Sequence, residues 1–255
     1  MLMRMIAWTL LTATVVLAAC HNPGAREPAA AVSTAPATTH AATAPDLQNV
    51  QVAGRLYESK GKRVVRLTNG LTVILQENHT APVVAARIYV RAGSLTEQEY
   101  MGCGISHVLE HLVAGGTSAN LDEAQSQQAL KILGGDSNAN TSYDRTCYFI
   151  TTTSDKWPMA LDLLANWTTK ADFTPAEFAR EYQVVQREIE MGEAEAARTF
   201  YKLEAANRYQ VFPAKYPVIG FKPAFQKLTV EDCRRYYQRM YVPDNMIVSI
   251  AGDIQ

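Results

Sequence analysis

Within the pentapeptide His107-Val108-Leu109-Glu110-His111 stand two imidazoles and one carboxylate. On an α-helix the residue four ahead returns to nearly the same angular position and the residue three ahead lies beside it, so His107, Glu110 and His111 project together. Neutral imidazoles at i and i+4 can hold one Zn²⁺, and a neighbouring carboxylate that is not a ligand can take a proton from a water that the metal activates. With five His and fifteen Glu in 255 residues, chance supplies roughly 0.006 such H-x-x-E-H matches. The bland reading is a pair of helix histidines in a salt bridge with Glu110, and it stands beside the metal reading.

A catalytic zinc has three protein ligands and one open position. Of the other histidines, His21 and His40 fall in an Ala-, Pro- and Thr-rich segment, and His79 sits in the polar turn Glu77-Asn78-His79-Thr80. A carboxylate is therefore expected as the third ligand. The run from Pro175 to about Arg198 has helical spacing, with Phe178, Tyr182, Val185 and Ile189 on one stripe. At about 100° per residue, Glu181 and Glu188 both lie roughly 60 to 80° from that stripe on one side, whereas Arg180, Arg187 and Glu190 point away. Both glutamates thus line the boundary of the buried face, and the spacing leaves either as the ligand.

These residues need a scaffold. Arg63–Leu67, Leu71–Gln76, Val83–Val90, Cys147–Thr153 and Ile247–Ile250 show β-branched enrichment and partial alternation, which predicts strands. Asp122–Leu133, Lys156–Lys170, Pro175 to about Tyr209 and Val230–Tyr241 show helical spacing. Asn138-Ala139-Asn140, after Gly134-Gly135, reads locally as a polar turn. An α+β fold follows, a largely antiparallel sheet with helices packed on one face. No internal repeat is visible.

Several further segments together carry a resemblance. Leu67-Thr68-Asn69-Gly70-Leu71 with Val73-Ile74-Leu75, Ala92-Gly93-Ser94 with Glu97, Gly104 before His107 to His111, and Gly115-Gly116-Thr117 after it recur in one order. Gly134-Gly135-Asp136-Ser137-Asn138-Ala139-Asn140-Thr141, Tyr216 to Gly220 and Tyr241 to Met246 continue the series. Over about residues 55–255 the chain resembles the pitrilysin, insulysin and mitochondrial-processing-peptidase type of zinc metallopeptidase, the inverzincins. The resemblance implies a zinc endopeptidase acting on extended peptides, with one Zn²⁺ held by His107, His111 and Glu188. Glu188 follows His111 by 77 residues, the spacing of that family. It further implies Glu110 as general base, Glu181 as a supporting carboxylate, and Asn138 and Ala139 on an edge strand that takes the substrate as an added strand. Such proteins pair two copies of this domain. Residues 50–255 are then expected to be the first copy, ending short of its last helices and strand, with a second domain or partner chain needed. Two rival roles are a catalytically incomplete partner subunit and a metal-binding lipoprotein without turnover.

Met1-Leu2-Met3-Arg4 followed by the apolar run Ile6–Ala19 reads as a secretory leader over 1–19, shorter than the ~20 residues of a membrane span. Leu17-Ala18-Ala19-Cys20 resembles a bacterial lipoprotein cleavage site, which predicts lipidation of Cys20 and, with His21 next, an anchor in the outer membrane facing the periplasm. Residues 20–49 are rich in Ala, Pro and Thr and nearly free of large apolar side chains, so they read as a flexible tether. With 24 basic and 25 acidic side chains, the formal charge of −1 argues against nucleic acid as a partner. The 47% hydrophobic content is enough for a sizeable core. Cys103, Cys147 and Cys233 leave room for at most one disulfide, and Cys103, flanked by Gly102 and Gly104, reads as a small hydrophobe rather than a ligand.

Overall fold

A computed structural model describes residues 50–254. The expected leader, the lipidation site Cys20 and the tether to residue 49 lie outside the described residues. Among the described residues seven strands are formed, β1 (Val52–Ser59), β2 (Lys62–Leu67), β3 (Thr72–Glu77), β4 (Val83–Val90), β5 (Asp136–Thr141), β6 (Thr146–Thr153) and β7 (Met246–Gly252). The helices are α1 (Ile105–Val113), α2 (Glu123–Leu133), α3 (Trp157–Lys170), α4 (Pro175–Ala194), α5 (Ala196–Arg208), α6 (Lys222–Phe225) and α7 (Val230–Met240).

All seven strands join one sheet in the order β1-β2-β3-β7-β4-β6-β5. Only β3 and β7 pair in parallel; the remaining neighbours are antiparallel. Alternation along β4 shows how the layers form. Val84, Ala86, Ile88 and Val90 are buried, whereas Ala85, Arg87 and Tyr89 on the other face stay partly exposed. The buried face continues across Tyr148 and Ile150 of β6 and Met246, Val248 and Ile250 of β7, and the helices lie on it. This is the α+β arrangement that the alternating and helical patterns predict.

Two segments depart from the expected elements. The predicted helix from Pro175 to Tyr209 breaks at Glu195, whose φ of −92° and ψ of 113° are extended. Helix α4 keeps Ile189 and Gly192 buried toward its end, whereas α5 buries no residue, so the break falls where core burial stops. The second departure is Asp136–Thr141, a strand and not the polar turn of the local reading. Gly134 ends α2 in the left-handed conformation, φ 63°, and the chain then pairs with β6 along its whole length. Tertiary pairing overrides the poor strand propensity of Asp, Ser and Asn.

Cys103, Cys147 and Cys233 are free thiols, Cys147 and Cys233 buried and Cys103 packed against the core, so the one disulfide that three cysteines would permit is not formed. Among the described residues no helix is long and apolar enough to cross a membrane.

Candidate active site

Helix α1 is amphipathic. Val108, Leu109, Leu112 and Val113 are buried against the sheet and its neighbours α4 and α7, which turns His107, Glu110 and His111 to the opposite, half-buried side. The helix starts at Gly104, φ 69°, where a Cβ would come within 2.4 Å of the Ile219 carbonyl oxygen; only glycine fits this entry. Helix α4 begins with a capping box, Thr174 and Glu177, and Pro175 in its first turn. Val185 and Ile189 anchor it, and Glu181 and Glu188 thereby face α1.

His107, His111 and Glu188 each offer one ligand atom, and these atoms lie within 4.8 Å of one another. Both Nε2 atoms stand 3.7 Å from Glu188 Oε2. Bonds of about 2.1 Å at tetrahedral angles would put ligand atoms roughly 3.4 Å apart, close to the spacing of both histidine–glutamate pairs. Its composition, two imidazoles and a carboxylate, is that of a catalytic zinc site with one position open. Burial, and then the neighbouring His111, push the His107 pKa down to about 4. His107 is therefore neutral at physiological pH, as a ligand must be.

The two histidines are held differently. His111 Nδ1 meets Glu181 Oε2 at 3.4 Å, a long contact that leaves Nε2 toward Glu188, and Glu181 is itself held by Arg180 at 2.9 Å. His107 Nδ1 is buried without any hydrogen-bond partner. Glu110 accepts a 2.6 Å hydrogen bond from the Thr141 hydroxyl on β5. Burial raises the Glu110 pKa, and the Thr141 bond works against that rise.

Beside the trio opens a cleft of about 350 Å³ between α1, α2, α4 and the edge strand β5. Leu112, Leu130 and Trp167 supply apolar walls, and Ser137, Asn138 and Ala139 form the β5 side. Asn138 and Ala139 thus lie on a strand paired only with β6 among the described residues, at the rim of the cleft. The Ala139 amide donates to the Asn138 side-chain oxygen at 2.8 Å.

All the residues expected from the sequence within this region come together: His107, Glu110, His111, Glu181, Glu188, Asn138 and Ala139. Two partners were missed. Thr141 closes the motif that runs from Gly134, and its position two residues beyond Ala139 puts it on the same strand face. Glu177 accepts from the Thr117 amide at 2.9 Å and the Thr174 hydroxyl at 2.7 Å, tying the segment after α1 to the start of α4. The spacing Thr174-x-x-Glu177 marks it as a capping residue, but nothing in the sequence reveals its second partner.

A seven-stranded sheet carrying helices on one face, with an H-x-x-E-H helix facing a glutamate helix, defines a zinc-peptidase type of half-domain. Residues 72–221 match the insulinase family, peptidase family M16, and the chain belongs to that family. It is 31% identical over 186 residues to the uncharacterized zinc protease YmxG of Bacillus subtilis, covering 73% of this chain and 45% of that protein. The zinc protease PqqE of Helicobacter pylori is 34% identical over 194 residues, covering 74% and 43%. The crystal structure of a protease from Helicobacter pylori superposes with a TM-score of 0.70 at 31% identity, covering 76% of this chain and 46% of that one. The chain therefore spans about half the length of the curated relatives it matches.

Proposed function

We propose that the protein is a zinc-dependent endopeptidase acting on extended peptides or unfolded segments. The observation that carries this reading is the convergence of His107, His111 and Glu188 from two separate helices, with Glu110 beside them on a hydrogen bond from Thr141. One zinc held by the trio would polarise the scissile carbonyl and make the attacking water more acidic. Glu110 takes the proton of that water and passes it to the leaving amine, and its raised pKa makes it a stronger base than an exposed glutamate. Glu181 orients the His111 ring. The edge of β5 at Asn138 and Ala139, paired only with β6 among the described residues, binds the substrate as an added strand, which places its backbone next to the metal ligands and favours extended chains. Relatives of about twice this length support the further reading that turnover needs a second, homologous domain or a partner chain. The Leu17-Ala18-Ala19-Cys20 run supports lipid anchorage in the bacterial envelope on the periplasmic side of the outer membrane.

The test pairs metal analysis with cleavage of a quenched fluorescent peptide library, with and without a companion domain. His107→Ala, His111→Ala and Glu188→Ala are expected to lose zinc. Glu110→Gln is expected to keep zinc and lose turnover by about 10²-fold or more. Full zinc retention by Glu188→Ala, or unchanged turnover in Glu110→Gln, would overturn the assignment.

A further inference from the structure

We propose that Glu97 is a positioning residue that fixes the first turn of α1, and through it the His107 imidazole, for metal binding. This rests on the reading of His107 as a ligand. A helix leaves its first amides without internal partners, and a side chain at the residue before the helix usually accepts from one of them. Gly104 has no side chain to do so. Glu97, seven residues earlier in the chain, takes over that role: its Oε1 accepts from the Ser106 amide at 3.1 Å. The Ser106 hydroxyl meets the Tyr236 hydroxyl at 3.0 Å, and Tyr236 meets the Thr96 hydroxyl at 3.3 Å. The start of α1 is thus tied to the Thr96-Glu97 segment and to α7 at one point.

Burial shows that this is no surface cap. Glu97 and Tyr236 are 0% exposed and Ser106 is 1% exposed. The second carboxylate oxygen of Glu97 has no hydrogen-bond partner. Burying a carboxyl is costly, and burial pushes the Glu97 pKa up to about 7 while Ser106, Gly104 and Gly102 pull it down. What the helix start needs is an acceptor at this reach, and Glu97 supplies it from a separate segment.

The consequence falls on His107, the residue after Ser106. His111 is oriented through its own Nδ1 by Glu181, but His107 Nδ1 has no partner. With no hydrogen bond on Nδ1, the His107 ring takes its place from its packing edge-on against the His111 ring and from the backbone of the first turn, where Glu97 acts.

The test measures Zn²⁺ affinity by chelator competition, and the absorption spectrum of the Co²⁺-loaded protein, for wild type, Glu97→Gln, Glu97→Asp and Glu97→Leu. Gln keeps an acceptor at the same reach; Asp keeps the charge but withdraws it by one methylene; Leu removes the acceptor. Thr152→Val, which deletes a buried 2.8 Å bond to the Leu133 carbonyl at the end of α2, controls for lost stability alone. The expected result is that Glu97→Gln binds zinc within about threefold of wild type, while Glu97→Asp and Glu97→Leu weaken it about 10- to 100-fold and change the Co²⁺ spectrum. Thr152→Val should leave both readouts unchanged. If Glu97→Leu does not fold, the contrast between Gln and Asp decides. Wild-type affinity in Glu97→Asp, or a loss in Glu97→Gln as large as in Glu97→Asp, overturns the positioning role. A wild-type protein that binds no zinc instead overturns the metal reading on which it rests.

Discussion

Replacing Glu97 with Gln changes how the stability of the metal-free protein depends on pH. The Glu97 carboxyl has a pKa of about 7 in the fold against an ordinary 4.5, because burial disfavours its charged form. Between these values the folded protein holds a proton that the unfolded chain has released. The contribution of Glu97 is therefore complete below pH 4.5 and is lost as pH rises through about 7. At about 1.4 kcal/mol per pH unit, that interval amounts to about 3 kcal/mol. His107 works in the opposite sense. Its pKa falls from 6.5 to about 4, so its contribution is complete above pH 6.5 and is lost as pH falls through about 4. The two slopes nearly cancel in wild type between pH 4.5 and 6.5, and Glu97→Gln unmasks the His107 slope. Urea unfolding in the presence of a chelator, at steps from about pH 4 to 8, should show the variant gaining about 3 kcal/mol on wild type as pH rises. A difference that stays constant within about 0.5 kcal/mol, the range of a neutral surface substitution, would refute the reasoning.

Other substitutions probe the parts around the trio. Thr141→Val removes the 2.6 Å bond that holds the Glu110 pKa down, so it should leave zinc content intact while the acid limb of the kcat profile moves to higher pH, measured by peptide cleavage across a pH series. Gly135→Ala puts a Cβ 1.8 Å from the Thr151 carbonyl oxygen and should detach β5 from β6, with about 1 to 3 kcal/mol lost on denaturation and faster hydrogen exchange in β5. Lipidation at Cys20 predicts a membrane-extracted form that begins there, and intact-mass analysis showing an unmodified chain from Met1 would contradict it.

The local elements were legible because their patterns are local. Strand β4 has the bounds Val83–Val90 that alternation predicts, and α2, α3 and α7 begin and end within a residue of the expected runs. His107, Glu110 and His111 share a face by helix geometry alone. Glu188 was harder. The stripe of Phe178, Tyr182, Val185 and Ile189 places it beside Glu181 at the buried boundary, and the period of the helix cannot tell the two apart. What distinguishes them is that Glu188 stands opposite both Nε2 atoms and Glu181 opposite one Nδ1, a fact of packing between α1 and α4. The unsatisfied Nδ1 of His107 and the reach of Glu97 to Ser106 are equally invisible in sequence, since both depend on which segments fold against the start of α1.

Strand β5 was least legible locally, and its chemistry explains why. A free edge rich in Val and Ile would pair with other chains indiscriminately, so exposed edges carry polar residues or are kept short. Asp136–Thr141 is six residues long, with Asp136, Asn138 and Asn140 exposed and Ser137, Ala139 and Thr141 turned inward. Its inward face supplies a hydroxyl for Glu110 and a small side chain at the rim of the cleft, and neither role tolerates bulk. A segment chosen for these roles cannot also advertise itself as a strand through its own composition. It is made a strand by its pairing with β6, whose Thr146, Cys147, Tyr148, Ile150 and Thr152 are buried, and by Gly135, which lets the two backbones approach. The conflict between local propensity and final structure is thus concentrated where the proposed substrate would bind, as expected when function and not folding sets the residue types.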